Sequence, residues 1–470
     1  MPTTLAERPT AAGGTTGPAP AHSLKSRHMT MIALGGVIGA GLFVSSGQGI
    51  AGTGPAIVLA YAIGGALVML IMRMLGEMSA AHPSSGSFST HAERAMGPWA
   101  GLTAGWMYWM LMSVAVAAQA MGAADIVTGW LPGTEPWMWV AVLMVLVLGA
   151  NLAVAAKFGE VEYWLAGVKI VAIFLFLALG ALAAFGLLGN DAAGTANLTG
   201  AGHGFLPHGS DGLITALIAS AFAYGGLENA TIAAAEGENP RRDVAKAIKT
   251  SMTAIAVIYI GSMLVAVTVL PWNDPEVAAK GPFVATLDHL GVPGAGQIMN
   301  VVILFALVSA MAACVYGASR MAHSLVERDQ GPRALKPRNR AGVPARAVAA
   351  TCSFGFAAVL LAYWFPDTLF KWLLNMVGAT VLVVWGFIAV AQLRLRRRYE
   401  REAPEQLTVK MWAFPYLTWL ALAAIAAILV LMARTPNGRA ELITTGATAI
   451  ALSALGLLRD ARRRRRAPAA

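Results

Sequence analysis

Charge is scarce in this chain. Of its 470 residues 12% are Asp, Glu, Lys or Arg, against 57% hydrophobic, where a soluble domain carries about a quarter charged. So few charges cannot cover the apolar surface of a chain this size, which excludes an ordinary water-soluble protein. Cysteine is nearly absent as well. Cys314 and Cys352 both lie in apolar stretches, leaving no disulfide framework and no thiolate metal site. The few histidines are expected at the surface or in loops and form no zinc-ligand pair. A nucleophile elbow and a phosphate-binding loop are both missing. These absences argue against an enzyme and against nucleotide-driven work, and no cofactor or metal is expected. Nothing repeats in the way a selectivity filter or a charged ring requires, which argues against a pore.

What is present is apolar sequence in blocks of about 20 residues, the length that crosses a bilayer as a helix. Twelve such blocks fall at about 30–52, 55–80, 100–128, 136–155, 160–188, 212–236, 246–271, 295–325, 343–364, 368–393, 412–433 and 438–458. Pro, Gly and charge clusters separate them. Residues 1–28 have no apolar core; they read as a disordered tail rather than a signal peptide. The stretch Ala81–Pro98 is polar and is expected at the cytoplasmic surface.

The net charge of +10 does not point to nucleic acid, because the basic residues sit in short clusters between apolar blocks. With the N-terminus inside, 29 of the 34 Lys and Arg fall in cytoplasmic segments. Four, Lys280, Lys371, Arg434 and Arg439, fall on the opposite side, and Lys169 lies within a block. That split predicts both termini in the cytoplasm. Arg396–Arg398 and Arg462–Arg466 are expected on anionic lipid headgroups. Trp130, Trp137, Trp139 and Trp272 are expected in the interfacial belt. Arg73 and Glu77, spaced i,i+4, are expected to pair.

Two blocks carry paired glycines in their middle: Gly35-Gly36-Val37-Ile38-Gly39-Ala40-Gly41 in the first, and Phe222-Ala223-Tyr224-Gly225-Gly226-Leu227-Glu228 in the sixth. They open two corresponding five-block sets, the placement that points to a transporter binding site. Backbone at membrane depth stays unpaired only where it lines a cavity. An unwound segment there offers N–H groups to a carboxylate and carbonyls to an ammonium, which suits a zwitterion. The alternative is that these glycines only let helices pack closely.

Charges inside a bilayer are costly and point to function. Glu228 follows the second glycine pair, where a buried carboxyl suits proton binding and release; alternatively it is a structural acceptor for helix-end N–H groups. Lys169 either snorkels to the interface, being about one turn beyond Trp164, or works in the interior. Glu160 and Glu162 open the fifth block, facing the helix dipole or serving an inner gate.

Short strings in order carry a family resemblance: Leu24-Lys25-Ser26-Arg27-His28, Arg73-Met74-Leu75-Gly76-Glu77-Met78, Pro83-Ser84-Ser85-Gly86-Ser87-Phe88-Ser89, and Gly105-Trp106-Met107-Tyr108-Trp109. Gly159-Glu160-Val161-Glu162-Tyr163-Trp164, Ile232-Ala233-Ala234-Ala235-Glu236 and Ala318-Ser319-Arg320-Met321 continue it. From about Leu24 to about Leu395 the chain resembles amino-acid permeases of the amino acid–polyamine–organocation (APC) superfamily, most like bacterial GABA and aromatic amino-acid permeases.

The resemblance implies an all-α polytopic membrane protein of 12 transmembrane helices, with a LeuT-like 5+5 inverted repeat plus two C-terminal helices. The core transport domain would span 29–395, its repeats about 29–188 and 212–395. Helices 11 and 12 would span 396–459, with a basic cytoplasmic tail at 460–470. It implies an amino-acid substrate, entry into the cell across the plasma membrane by proton symport, and alternating access. Gly39, Ala40 and Gly41 would bind the substrate carboxylate, and carbonyls at Val37, Phe222 and Gly225 the amine. The Phe222 ring would gate the pocket. Met112, Val116 and Gln119 would form a wall and Tyr316 add an aromatic. Lys169 would stand where sodium-coupled relatives hold an ion, and with Glu228 would couple transport to protons. Many relatives carry an acidic residue where this chain has Gln119, so a cationic substrate does not carry over. An exchanger trading an amino acid for its amine is the alternative. The substrate stays open between the GABA and aromatic types: the Gly225-Gly226 pair admits a larger side chain, whereas Thr231–Glu236 looks like the GABA type.

Overall fold

The computed structural model describes residues 31, 35–36, 38–152, 155–188, 196–199, 204–235, 240–340 and 342–466. The tail 1–28, Val37 and Glu236 lie outside them. Among the described residues every regular element is helical. The first block gives α1 (Ala40–Phe43) and α2 (Ser45–Thr53), separated by Val44 alone. Next come α3 (Ile57–Ala81), α4 (Ser87–Met96), α5 (Pro98–Trp130), α6 (Pro136–Leu152), α7 (Ala155–Ala184) and the short α8 (Ala196–Thr199). The second half gives α9 (Gly209–Tyr224), α10 (Asn229–Ala235), α11 (Pro240–Ala254) and α12 (Gly261–Val269), the last two joined by a π-turn. The short α13 (Pro275–Lys280) and α14 (Pro282–His289) precede α15 (Ala295–Glu327), α16 (Ala345–Trp364), α17 (Pro366–Glu402), α18 (Tyr416–Met432) and α19 (Pro436–Arg466).

The chain is a polytopic helical membrane protein. Among the described residues nine stretches are long and apolar enough to cross a bilayer, and the shorter apolar helices 136–152 and 416–432 add to them. One stretch, 40–81, takes in the second expected block and the later part of the first. Proline and glycine set the helix starts as local chemistry requires. Pro98 follows Gly97, and Pro275 follows Asp274, whose carboxylate accepts the Glu276 N–H at 2.8 Å; a first-turn proline costs no hydrogen bond.

The most apolar window of α5 is 78% buried and that of α19 only 17%, so α5 is central and α19 peripheral. α5 packs along α15 and also against α4, α17 and α19. α9 packs on α2, α3 and α17, and this brings the two glycine-bearing blocks together. The largest fully buried side chains are aromatic, Trp385, Tyr61, Tyr108, Tyr224 and Phe43 among them, with one exception, Lys169.

The polar stretch Ala81–Pro98 contains α4, with Ser87, Phe88, Ser89 and His91 buried. Two expectations are corrected. His91 and His323, expected in loops or at the surface, are buried in helices. Arg73 does not pair with Glu77. Its Nε donates to the Lys410 carbonyl at 2.9 Å and its guanidinium lies over Trp412, while Glu77 takes hydrogen bonds from Gln392 (2.8 Å), Arg396 (2.5 Å) and the Met411 N–H (2.5 Å). A neighbour one helical turn away loses to a partner more than three hundred positions on, because the distant arginine is the one buried with the carboxylate.

Candidate functional site

The first helix is interrupted ahead of Ala40. Gly39 is extended (φ −149°, ψ −149°) and α1 starts after it. The opening N–H groups of a helix have no acceptor within it. Here the Ala40 N–H donates to Gln119 Oε1 of α5 at 2.7 Å. A neutral amide oxygen therefore sits where a carboxylate oxygen was expected, and Gln119 is a cap as well as a wall. A Cβ added to Gly41 would fall 2.5 Å from Ala223 Cα. The two glycine-bearing blocks thus touch backbone to backbone, and close packing and an interrupted helix are both present.

The second helix is interrupted between α9 and α10. Gly225 is extended (φ −60°, ψ 135°) and Gly226 has φ 103°, a region that favours glycine. Glu228 is fully buried and folds back into the gap. Its Oε2 accepts the Gly226 N–H at 3.0 Å and its Oε1 accepts the indole N–H of Trp385 on α17. Beyond it Asn229 Oδ1 accepts from Tyr108 Oη at 2.8 Å.

A cavity of ≈ 20 Å³ lies between the interruptions, about the space of one water. Gly36, Gly41, Phe222, Ala223 and Gly225 line it from the two interrupted blocks, Met112, Ala115 and Gln119 from α5, Cys314 from α15 and Val377 from α17. Of the expected residues it gathers Gly41, Met112, Gln119, Phe222 and Gly225. Gly39 and Ala40 adjoin it through Gln119. Val116 is buried beside the lining residue Ala115, one step round the helix. Tyr316 is buried beneath the Arg320 guanidinium, 3.4 Å from its ring centroid, and is not among the lining residues. Ala115, Cys314 and Val377 were not expected. Met112, Ala115 and Gln119 stand at i, i+3 and i+7, one helical face, which is the signal that finds Ala115.

Lys169 does not snorkel. Its Nζ is buried and donates to the Gly35 carbonyl at 2.7 Å, the Ser309 hydroxyl at 2.8 Å and, more loosely, the Ile38 carbonyl at 3.4 Å. It thereby ties the carbonyls ahead of the first interruption to α7 and α15.

Residues 28–458 match the family described as amino acid permease. The chain belongs to the amino acid permease family. It is 44% identical over 424 residues to a gamma-aminobutyric acid permease of Bacillus subtilis, covering 90% of each chain. It is 42% identical over 423 residues to an aromatic amino acid transport protein of Corynebacterium glutamicum, covering 89% of this chain and 90% of that one. A gamma-aminobutyric acid permease of Escherichia coli is 40% identical over 430 residues, with 91% and 92% covered.

In this family member a wider pocket of ≈ 320 Å³ opens at the far end of α5, lined by Phe43, Gly122, Asp125, Lys280, Asp288 and Asn300 among others. Gly122 is three residues from Gln119, about 4.5 Å along the helix, so the pocket floor lies just beyond the small cavity. Lys280 is paired with Glu276 (2.9 Å) and Asp288 (3.2 Å), and hydrogen bonds to these two carboxylates raise its pKa above the usual lysine value. At the other end of α5 the charges are also paired: Arg396 with Glu77 and Glu400, and Arg328 with Glu93. Arg396 is therefore a buried partner and not the headgroup anchor expected of it, whereas Arg398 is exposed and pairs with Glu402 at 2.7 Å. His91 in α4 lies 3.1 Å from Ser79 Oγ, and burial pushes its pKa down to about 3. No group of three or more metal-ligating side chains occurs among the described residues.

Proposed function

We propose that this chain imports a net-neutral amino acid, zwitterionic or GABA-like, across the plasma membrane by proton symport, with alternating access about the cavity between the two interruptions. The observation that carries this reading is the Gln119 cap on the Ala40 N–H. That oxygen occupies a site built for an anionic oxygen at the start of a helix, in a cavity shared with Gly225 and Phe222. The substrate carboxylate displaces the Gln119 oxygen, and the freed amide group turns its own N–H donors to the substrate. Carbonyls around Phe222 and Gly225 face the amine. An uncharged wall at Gln119 fits a substrate without net charge.

The proton role rests on Glu228 and Lys169. Both are buried, and each is hydrogen-bonded to backbone at one of the two interruptions. A proton gained or lost there changes the hold on the unwound backbone and so links titration to opening. The wider pocket beside Lys280 is the entry from outside. The basic loops face the cytoplasmic leaflet, where the exposed arginines meet anionic headgroups. The names of the relatives favour GABA or an aromatic amino acid as substrate.

Uptake by reconstituted vesicles tests the proposal. An inward proton gradient should drive accumulation of GABA or an aromatic amino acid, with protons entering alongside. Rapid counterflow that ignores the gradient would instead identify an exchanger.

A further inference from the structure

Glu162 was expected near a helix end, at a gate or facing the helix dipole. It is buried, 1% exposed, on the same face of α7 as Lys169. The seven positions between them are two helical turns, about 10.5 Å of rise. Ser309 of α15 fills the gap. Lys169 Nζ donates to Ser309 Oγ at 2.8 Å, and Ser309 Oγ lies 2.6 Å from each carboxylate oxygen of Glu162. A hydroxyl has one proton to give and two lone pairs to accept with. The chain of donors runs in one direction, from ammonium through hydroxyl to carboxylate.

We propose that Glu162 receives the proton Lys169 releases, through the hydroxyl of Ser309, and that these three residues form the inner half of the proton path. This rests on the symport reading above. In the step an Nζ–H bond breaks as a new Oγ–H bond forms on Ser309. The original Oγ–H proton passes to a Glu162 oxygen. A lysinium and a carboxylate become a neutral amine and a neutral carboxylic acid, and the serine ends as it began. No co-reactant is needed. The products carry no charge, which suits an interior where isolated ions are costly. Neutral Lys169 holds the Gly35 and Ile38 carbonyls less firmly, freeing the first interruption from α7 and α15. Glu162 then passes the proton to water at the start of α7.

Among the described residues the Cys314 thiol of α15 also faces the pair, and Glu160 lies two positions before Glu162 on α7. α12, packed along α7, has no titratable side chain from Gly261 to Val269. On α14 Asp288 is engaged with Lys280.

The test uses the full-length protein in vesicles with a trapped pH-sensitive dye, recording protons and substrate together. Glu162→Gln and Ser309→Ala should each lower protons moved per substrate by about ten-fold or more, the scale of a lost proton-transfer group. Ser309→Thr, which keeps the hydroxyl, should restore coupling. Wild-type proton-to-substrate ratios in Glu162→Gln would overturn the relay. If Glu162→Gln does not fold, Ser309→Ala and Ser309→Thr decide, and equal coupling in those two overturns it. A wild-type protein that moves substrate without protons would overturn symport, and the relay with it. A wild type that couples while the variants also couple would overturn the relay alone.

Discussion

At the basic end of the bundle opposite charges touch: Arg396 meets Glu77, and Arg328 meets Glu93. At the two interruptions they do not. Glu228 is bonded to a backbone N–H and an indole, and Lys169 to carbonyls and a hydroxyl. A buried ion pair is a poor site for a proton that must come and go, because removing one charge strands the other. Glu228, held by neutral dipoles, can be neutralised without leaving a partner behind, and Lys169 faces Glu162 only across the Ser309 hydroxyl, through which both can be neutralised together. On the proposed reading, the contrast separates residues that hold the helices together from residues that carry the proton.

The sharpest way to break this contrast is at the contact between the interrupted blocks. Gly41→Val places atoms against the Ala223 backbone, and uptake should fall by about a hundred-fold or more, the scale of a misplaced site. Vesicle uptake beside a thermal melt checks it; normal uptake would mean that the contact is not part of the site. Next, Glu228→Gln should lower gradient-driven accumulation about ten-fold or more. Unchanged accumulation would make Glu228 a structural cap. Gln119→Glu sets a carboxylate against the substrate's own, and substrate affinity should drop about ten-fold, roughly 1.4 kcal/mol, measured by binding titration.

The paired charges should behave differently. Arg396→Met strands the Glu77 carboxylate and should cost about 3 kcal/mol of stability, seen as a lower melting temperature, while the pH dependence of transport keeps its shape. The smallest effect belongs to His91. Its folded pKa of about 3 lies below the ordinary 6.5, so the unfolded chain binds more protons between these values and stability rises with pH across that window. The melting temperature should therefore fall as pH drops from 7 to 5, and His91→Gln should flatten that slope.

Much of this was legible beforehand, for identifiable reasons. Apolar blocks located the helices because a bilayer demands length and apolarity. The glycine pairs located both interruptions because few other residues tolerate such backbone. Gln119 was assigned to the wall of the site, but its grip on Ala40 is a contact between α5 and α1 that no local pattern encodes. Glu162 reads in the sequence as a gate or helix-dipole residue, and although its i+7 spacing from Lys169 marks a shared face, its partner Ser309 lies 147 positions away. Glu77 was paired with its near neighbour because periodicity sees one helix at a time. Val116 came from the family resemblance; the cavity is lined instead by Ala115, its neighbour on the same helix, since both i+3 and i+4 from Met112 continue a helical face.

The central claim is that the Ala40 N–H, capped by Gln119, receives the substrate carboxylate. Its most direct test is equilibrium binding of the transported amino acid and of its carboxamide, identical but for the lost negative charge, to the wild-type protein. The account predicts that the carboxamide binds about a hundred-fold more weakly, as an anion lost from a buried donor site should. Equal affinity for the two would contradict it.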